Sequence, residues 1–143
     1  MRISEVLATK ARAAVVTVPP DATVRDLLAV LAEHNIGALV VSADGSSVDG
    51  IVSERDVVRR MHQDETLWDA PVSSIMSADV HGCQGQDSVE AVMGLMTTRR
   101  IRHVPVLVDG ALVGIVSIGD IVKSRMSQLE FERDQLDSYV HGG

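Results

Sequence analysis

The chain has 143 residues, a formal net charge of −7, 45% hydrophobic residues and 2% aromatic residues. A chain of this length is expected to form one compact module that buries about two thirds of its unfolded surface. The acidic charge and the scarcity of rings argue against a nucleic-acid-binding protein, since that function uses basic surfaces and aromatic stacking platforms.

The first half of the chain predicts a β-α-β-β-α order of elements. A β-branched run that ends at two prolines predicts a strand, and apolar side chains at i, i+3, i+4 and i+7 predict a helix after it. Two further apolar runs flank a turn-forming Asp-Gly-Ser-Ser segment, and a second helix follows. The predicted bounds are a strand at 15–18, a helix at about 23–34, strands near 37–41 and 48–52, and a helix from Ser53.

The second half predicts the same order. Its bounds are a strand near 80–83, a helix at about 88–99, strands at about 103–108 and 112–116, and a helix from Ser117. The strand runs are apolar at consecutive positions, so both faces of each sheet must be covered. Neither half has enough helix for this, and we expect the halves to pack against each other. The predicted fold class is α/β (α+β), with two β-α-β-β-α repeats packed with pseudo-twofold symmetry into one module.

The two halves also repeat in sequence. Residues 50–58 recur as residues 114–122, with six of nine positions identical at an offset of 64. The apolar positions of the first helix of each half match at an offset of 65, and residues 3–7 resemble residues 72–76 at an offset of 69. The predicted organisation is a first repeat at 1–62, a linker at 63–71, a second repeat at 72–126, and a C-terminal helical extension and tail at 127–143.

Over residues 3–126 the chain resembles a tandem pair of cystathionine-β-synthase (CBS) domains, also called a Bateman module. The resemblance rests on a Gly-hydrophobic-hydrophobic-Ser-x-x-Asp signature present twice, on the run Ile-Arg-His-Val-Pro-Val at residues 101–106, and on the order of elements. It implies a non-catalytic regulatory module that forms a homodimer and binds AMP, ADP, ATP, NAD or S-adenosylmethionine in a cleft between the repeats. It also implies a regulated partner protein, which the sequence does not identify.

The resemblance places ligand contacts at the two signatures. The family's ribose-binding acid corresponds to Asp56 and Asp120, and a carboxylate can accept hydrogen bonds from both hydroxyls of a diol. The signature serines stand at helix starts, where N–H groups can meet phosphate, and the signature glycines let the backbone approach a ligand. The candidate contacts are Gly50, Ser53, Asp56, Gly114, Ser117 and Asp120.

The same signature has a purely structural interpretation. Ser-x-x-Asp before an apolar helix is a capping pattern, with the serine at the N-cap and the acid three residues later. From the sequence both interpretations remain open, and capping can coexist with ligand binding.

Basic side chains that could hold phosphate precede a strand of the second repeat. The resemblance assigns Arg102 and His103 to this role, and a guanidinium can bind phosphate through two hydrogen bonds. His103 also fits a buried histidine, and Arg55 is a further candidate contact. The first repeat has Gly37 and Ala38 at the equivalent place, so we expect the two clefts to differ.

By the same resemblance, aliphatic side chains hold the adenine ring, with Thr17, Val18 and Pro19 in the first repeat as candidates. His81 and Cys83 alone are too few ligands for a metal site. No spacing indicates a nucleophile with its base. The sequence therefore predicts no catalytic residue, no metal and no required cofactor, with an adenine nucleotide or S-adenosylmethionine as a regulatory ligand.

Two further expectations concern location and an alternative function. No apolar run reaches the ~18 to 20 residues of a membrane span, and no signal peptide is recognisable. The single cysteine fits a reducing compartment, so we expect a cytoplasmic protein without membrane or nucleic-acid partners. The alternative to a ligand sensor is a structural or interaction homodimer whose clefts are degenerate and unoccupied.

Overall fold

The computed structural model describes residues 1–10 and 15–142, and it contains the predicted elements in both repeats. Helix α1 (Ile3–Ala8) precedes β1 (Thr17–Val18), α2 (Val24–His34), β2 (Ala38–Val41), β3 (Gly50–Ser53) and α3 (Glu54–Met61). Two short 3₁₀ helices, Leu67–Asp69 and Val72–Ser74, lead to β4 (Cys83–Gln84), α4 (Val89–Arg99), β5 (His103–Val108), β6 (Ala111–Ser117) and α5 (Ile118–His141). The predicted fold class is confirmed.

Polar caps explain where the helices begin and end. Thr23, Ser53 and Ser117 each form a capping box with the aspartate three residues later, at the starts of α2, α3 and α5. Helices α2 and α4 end at Asn35 and Arg100, whose φ angles of 52° and 55° lie in the left-handed region. The repeats therefore share local conformation as well as element order.

Each repeat forms its own three-stranded sheet. The orders are β1-β2-β3 and β4-β5-β6, with a parallel first pair and an antiparallel second pair in each. The register places Ala38 opposite Ser53 in the first sheet and His103 opposite Ser117 in the second. The first residue of each middle strand therefore lies beside the signature serine.

Helix α1 belongs to the core of the second repeat. Ile3 and Val6 are almost fully buried in the hydrophobic cluster around β4, β5, β6 and α4. The backbone N–H of Ser4 donates a hydrogen bond to the carbonyl of Gly85, at 2.8 Å. The start of the chain therefore completes the distant repeat.

The segment between the repeats completes the core of the first repeat. Leu67, Val72 and Ile75 are buried in the cluster around β1, β2, β3 and α2. Ile51 and Ser77 exchange two backbone hydrogen bonds, at 3.0 and 2.9 Å. Much of the predicted linker and the start of the second repeat thus pack on the first sheet, which mirrors the placement of α1.

Within the described parts of the chain, no helix combines the length and the apolar character needed to cross a membrane.

Candidate functional site

A cleft of about 680 Å³ opens between the two repeats. The first repeat lines it with the end of α2 and the start of β2, and the second with β5, β6 and α5, while the N-terminal segment contributes Lys10. Ligand pockets in proteins usually measure ~300 to 1,000 Å³. The apolar side chains of the wall include Val15, Val16, Ile36, Val113 and Ile115.

Asp120 supplies a carboxylate to this cleft. Its Oδ2 accepts a hydrogen bond from the N–H of Ser117 at 2.9 Å, and its own N–H donates to Ser117 Oγ at 3.1 Å. This capping box fixes the carboxylate at the start of α5. The side chain remains 24% exposed, so a molecule in the cleft can reach it.

Lys10 binds the same carboxylate. Its Nζ lies 2.9 Å from Asp120 Oδ2 and donates to the carbonyl oxygen of Ile115 at 2.8 Å. Burial acts to raise the pKa of Asp120, but the hydrogen bonds from Ser117 and Lys10 and the ammonium charge outweigh it, so the pKa lies below its ordinary value. Asp120 is therefore ionised at neutral pH and paired with Lys10.

His103 lines the cleft as a neutral imidazole. Burial lowers the pKa of His103 below its ordinary value of 6.5, and the charges of Lys10 and Arg102 act in the same direction against those of Asp120 and Glu54. A neutral imidazole offers one hydrogen-bond donor and no positive charge. The predicted phosphate contact at His103 thus faces the cleft but does not provide a cation.

The predicted arginines lie outside the lining of this cleft. Arg102 and Arg55 are exposed. The carbonyl oxygen of Arg102 accepts a hydrogen bond from the N–H of Ile118 at 2.8 Å. Because successive residues of an extended chain point to opposite sides, His103 faces the cleft and Arg102 does not. The lysines of the lining are Lys10 and Lys123.

The residues that line the cleft in this part of the first repeat come just before the predicted base-binding residues in the sequence. The cleft is lined by Val15 and Val16, not by Thr17, Val18 and Pro19. Val18 is 4% exposed and packs in the hydrophobic cluster of the first repeat, so its side chain is not available to a ligand in this cleft.

The two signature glycines are approached closely by side chains of the chain itself. A Cβ on Gly50 would lie 2.5 Å from Met76 Sδ, and a Cβ on Gly114 would lie 2.9 Å from Leu7 Cδ2. Met76 and Leu7 follow at the offset of 69 that relates the two opening segments. Gly114 also lines the cleft, whereas Gly50 does not. We call residues 3–7 and 72–76 the exchanged segments, because each packs on the sheet of the other repeat. Their close packing accounts for both glycines.

The first signature forms the same cap in a different setting. Asp56 Oδ2 accepts from the N–H of Ser53 at 2.8 Å, and the N–H of Asp56 donates to Ser53 Oγ at 3.4 Å. Neither residue lines the cleft of Asp120. The structure therefore brings together Gly114, Ser117, Asp120 and His103, and places the first signature apart from them.

Cys83 is a residue of the hydrophobic core and not of the cleft. It is 6% exposed within the core of the second repeat, and burial, with the nearby charge of Asp87, raises the pKa of its thiol to about 11. The described residues contain no group of three or more His, Cys, Asp or Glu side chains that could hold a metal ion.

Lys10 is the main site residue that the sequence reasoning did not find. It reaches the second signature because α1 packs across the sheet of the second repeat. The offset of 69 relates residues 3–7 to residues 72–76, but it does not reveal that each segment packs on the other repeat.

Comparison with known proteins gives a consistent result. The family model described as the CBS domain matches residues 3–63 and 72–127. The crystal structure of a CBS-domain-containing protein from Agrobacterium tumefaciens superposes with a TM-score of 0.82 at 39% sequence identity, and the match covers 87% of this chain and 99% of that one.

Two further similarities extend the comparison. A mitochondrial CBS-domain-containing protein of Arabidopsis thaliana is 36% identical over 128 residues, which is 86% of this chain and 62% of the relative. This chain thus spans less than two thirds of that relative. A CBS domain pair solved in complex with 5′-methylthioadenosine and S-adenosyl-L-methionine has a TM-score of 0.78 at 22% identity, covering 90% of this chain and 98% of that one; it supports the fold.

Proposed function

Because the chain belongs to the CBS-domain family and carries the domain twice, we propose that it is a non-catalytic ligand sensor that binds an adenosine-containing molecule in the cleft at Asp120. The observation that carries this proposal is the Asp120 carboxylate, held by the cap of α5 and exposed to a cleft that both repeats line. Two carboxylate oxygens can accept hydrogen bonds from the two hydroxyls of a ribose.

The remaining surfaces of the cleft suit the rest of an adenosine. Its volume of about 680 Å³ lies within the range of small-molecule sites. The valine and isoleucine side chains of the wall offer apolar faces to a base, and burial of apolar area supplies most of the free energy of such contacts. The adenosyl complexes of a CBS pair with the same fold support the same ligand class.

A ligand in this cleft also acts on the N-terminal segment. A ribose that takes Asp120 Oδ2 must displace the ammonium of Lys10, which is bound there at 2.9 Å. Lys10 follows α1, which packs on β6 and α5. Ligand occupancy therefore changes the position of the Lys10 side chain at the end of the N-terminal segment, and we propose that a partner protein recognises this change.

A thermal-shift panel tests the proposed function. The full chain is heated with adenosine, AMP, ADP, ATP, NAD or S-adenosylmethionine at millimolar concentration. A ligand present at ~100 times its dissociation constant stabilises the folded state by about 2.7 kcal/mol, and we expect at least one member of the panel to raise the melting temperature accordingly. Flat melting temperatures for all six ligands would contradict a ligand sensor and favour a structural homodimer with degenerate clefts.

A further inference from the structure

His103 stands where the two repeats face each other across the cleft. It is the first residue of β5 and lies opposite Ser117, whose capping box holds the carboxylate of Asp120. Ala38, the first residue of β2, lines the same cleft from the first repeat. The two middle strands therefore begin at one cavity, and of these two first residues it is His103 that can take up a proton.

Charged groups from several elements act on this imidazole. They come from α5, from α3, from the N-terminal segment and from the residue before β5, and they are Asp120, Glu54, Lys10 and Arg102. Burial, together with the two cations, outweighs the two carboxylates, so the pKa of His103 lies below its ordinary value. The cleft is also lined by His34 at the end of α2 and by Lys123 on α5. The imidazole is thus neutral at neutral pH, and a further charge in the cleft would alter its proton affinity.

Glu54 brings a carboxylate of the first repeat to this histidine. Its Oε1 lies 3.5 Å from the position of a Cβ on Gly37, which lines the cleft. The N–H of Glu54 donates a hydrogen bond to the carbonyl oxygen of Gly37 at 2.9 Å, so the start of α3 is fixed at the wall of the cleft. The charge state of His103 therefore depends on groups from both repeats.

A ligand that carries phosphate would add negative charge near this imidazole. The proposed function places the ribose at Asp120, and the phosphate of a 5′-nucleotide is joined to the ribose ring through one carbon and one oxygen. The phosphate therefore stays among the groups that surround Asp120, and His103 is one of them. An anion close to an imidazole favours its protonated form, and the imidazolium in turn attracts the anion.

We propose that His103 makes the affinity of this cleft for a phosphorylated adenosine ligand depend on pH. At alkaline pH the neutral ring offers one hydrogen-bond donor, whereas the imidazolium formed at mildly acidic pH adds a positive charge for the phosphate. Uncharged adenosine gains nothing comparable from that charge. This regulation rests on the proposed function, because it acts on binding at the same site.

Thermodynamic linkage gives the direction and the size of the effect. A bound phosphate raises the pKa of His103 relative to the empty cleft, so ligand and proton each strengthen the binding of the other. The affinity therefore rises as the pH falls from above the pKa of the complex to below the pKa of the free protein. If the two pKa values differ by about one, the affinity changes about tenfold.

Isothermal titration calorimetry of the full chain with AMP at about pH 8 and about pH 5.5 tests the proposal. The phosphate of AMP itself takes up a proton at about pH 6, so the pH response of the wild type is compared with that of His103→Gln. Glutamine keeps a hydrogen-bond donor but cannot be protonated. Between the two pH values, the affinity of the wild type is expected to increase about tenfold relative to that of the variant.

Two other histidines and adenosine provide the controls. His34→Gln removes the second histidine of the cleft lining, and His62→Gln removes an exposed histidine. Both variants should keep the wild-type pH response of AMP binding. Adenosine should show pH responses that agree within ~twofold between the wild type and His103→Gln, because it carries no charge that the imidazolium could attract. Circular dichroism at both pH values shows that each protein is folded.

Equal pH responses of AMP binding in the wild type and His103→Gln would overturn the proposal. A response that His34→Gln abolishes would also overturn it, because the proton uptake would then belong to another ring. AMP that binds at neither pH overturns it even where another member of the thermal-shift panel stabilises the chain. Flat melting temperatures for the whole panel contradict the proposed function itself, so the two failures are distinguishable.

Nuclear magnetic resonance of the histidine rings gives a second measurement. The imidazole signal that is missing in His103→Gln identifies His103, and its titration is followed with and without saturating AMP. The midpoint is expected to rise by about one pH unit with AMP and to stay in place with adenosine. A midpoint that AMP leaves unchanged would overturn the linkage between the proton and the phosphate.

Discussion

The two signature aspartates have the same backbone setting and different charged neighbours. Asp56 and Asp120 both stand three residues after a serine N-cap and accept a hydrogen bond from its N–H, at 2.8 and 2.9 Å. Asp120 is bound in addition by Lys10. The residue that corresponds to Lys10 at the offset of 69 is Asp79, whose side chain is 92% exposed.

This difference shows that helix capping and ligand binding place different requirements on the same Ser-x-x-Asp signature. Helix capping requires only the serine and the acid, and both repeats meet that requirement. A binding cleft also requires an apolar wall and charges that suit the ligand; here Lys10 comes from the N-terminal segment, and part of the wall comes from the first repeat. The repeated sequence thus preserves the cap, whereas the cleft also depends on Lys10, which has no counterpart at the equivalent position, and on residues of the other repeat.

The largest expected effect follows from removing each carboxylate in turn. Asp120→Ala is expected to weaken binding of the stabilising ligand by at least ~100-fold, about 2.7 kcal/mol, because the ribose loses its charged acceptor. Asp56→Ala should change the affinity of this cleft less than ~twofold, since Asp56 does not line it. Isothermal titration calorimetry with the ligand found by the thermal-shift panel measures both.

Asp56→Ala is a matched control because it removes the same kind of cap. Both variants should lose about 1 kcal/mol of ligand-free stability. Equal loss of affinity in the two variants would contradict the assignment of the site to Asp120. Unchanged affinity in both would assign the aspartates to capping alone.

The next largest effect concerns the glycines that the exchanged segments approach. Gly50→Ala is expected to destabilise the fold by about 1 to 3 kcal/mol, because its Cβ would lie 2.5 Å from Met76 Sδ and 2.9 Å from the backbone oxygen of Ser77. Gly114→Ala should lower the free energy of unfolding by less than Gly50→Ala does, since its Cβ would meet only the flexible end of Leu7 at 2.9 Å. Urea denaturation gives both free energies of unfolding.

A second substitution distinguishes this steric contact from the general conformational effect of replacing a glycine with alanine. Leu7→Ala removes the side chain in front of Gly114 and should make the Gly114→Ala change nearly neutral in that background. Met76→Ala should relieve Gly50→Ala only in part, because the carbonyl of Ser77 remains. A larger cost at Gly114 than at Gly50 would contradict this view of the two repeats.

Local patterns predicted the fold well because they report local physics. The helices begin at Thr23, Ser53 and Ser117, where a polar side chain caps the first turn. The strands follow consecutive apolar positions, which also predicted that both faces of each sheet are covered. These features depend on residues that are close in the sequence.

The cleft was predicted less completely because its parts are distant in the sequence. Lys10 contacts Asp120 only because α1 packs on the sheet of the other repeat. Val18 is a candidate base contact by the resemblance, and its side chain packs in the core of the first repeat, outside the lining of this cleft. His103, a candidate phosphate contact, lines the cleft, but burial lowers the pKa of its imidazole, so the positive charge suggested by its basic neighbours in the sequence is absent at neutral pH. The burial of these side chains and the packing of α1 on the other repeat are set by tertiary structure, so local sequence patterns do not reveal them.

A smaller effect tests the ion pair that distinguishes the second signature. Lys10→Met is expected to tighten binding of uncharged adenosine about fivefold, ~1 kcal/mol, because the ribose no longer competes with the ammonium for Asp120. AMP should gain less than adenosine, because the ammonium displaced by the ribose is available to its phosphate. Calorimetry with both ligands measures the two affinities.

Lys123→Met is the matched control for this prediction. Lys123 lines the same cleft, and its removal takes away a cation without freeing Asp120 from Lys10. Adenosine affinity should therefore stay within ~twofold of the wild type. Weaker adenosine binding by Lys10→Met would show that Lys10 supports the ligand instead of competing with it.

The smallest effect is the pH dependence that His103 adds to the second repeat. Burial, above all, keeps the pKa of His103 below its ordinary value of 6.5 in the folded state. Between the folded and unfolded pKa values the unfolded chain binds more protons, so the free energy of unfolding falls as the pH decreases through this window. His103→Gln cannot take up a proton and should remove this part of the pH dependence, as measured by urea denaturation from about pH 8 to about pH 5.

The first repeat has Ala38 at the place of His103, opposite Ser53 as His103 is opposite Ser117, so this sensitivity belongs to one repeat alone. The exposed His62 provides the control, and His62→Gln should leave the dependence of the unfolding free energy on pH as in the wild type. If His103→Gln lost as much stability on acidification as the wild type, His103 would have the same proton affinity in both states, and its burial beside Asp120 would not matter energetically. If the dependence disappears, the charge state of the Asp120 cleft is linked to the stability of the second repeat, because protonation of the imidazole that lines the cleft lowers the free energy of unfolding.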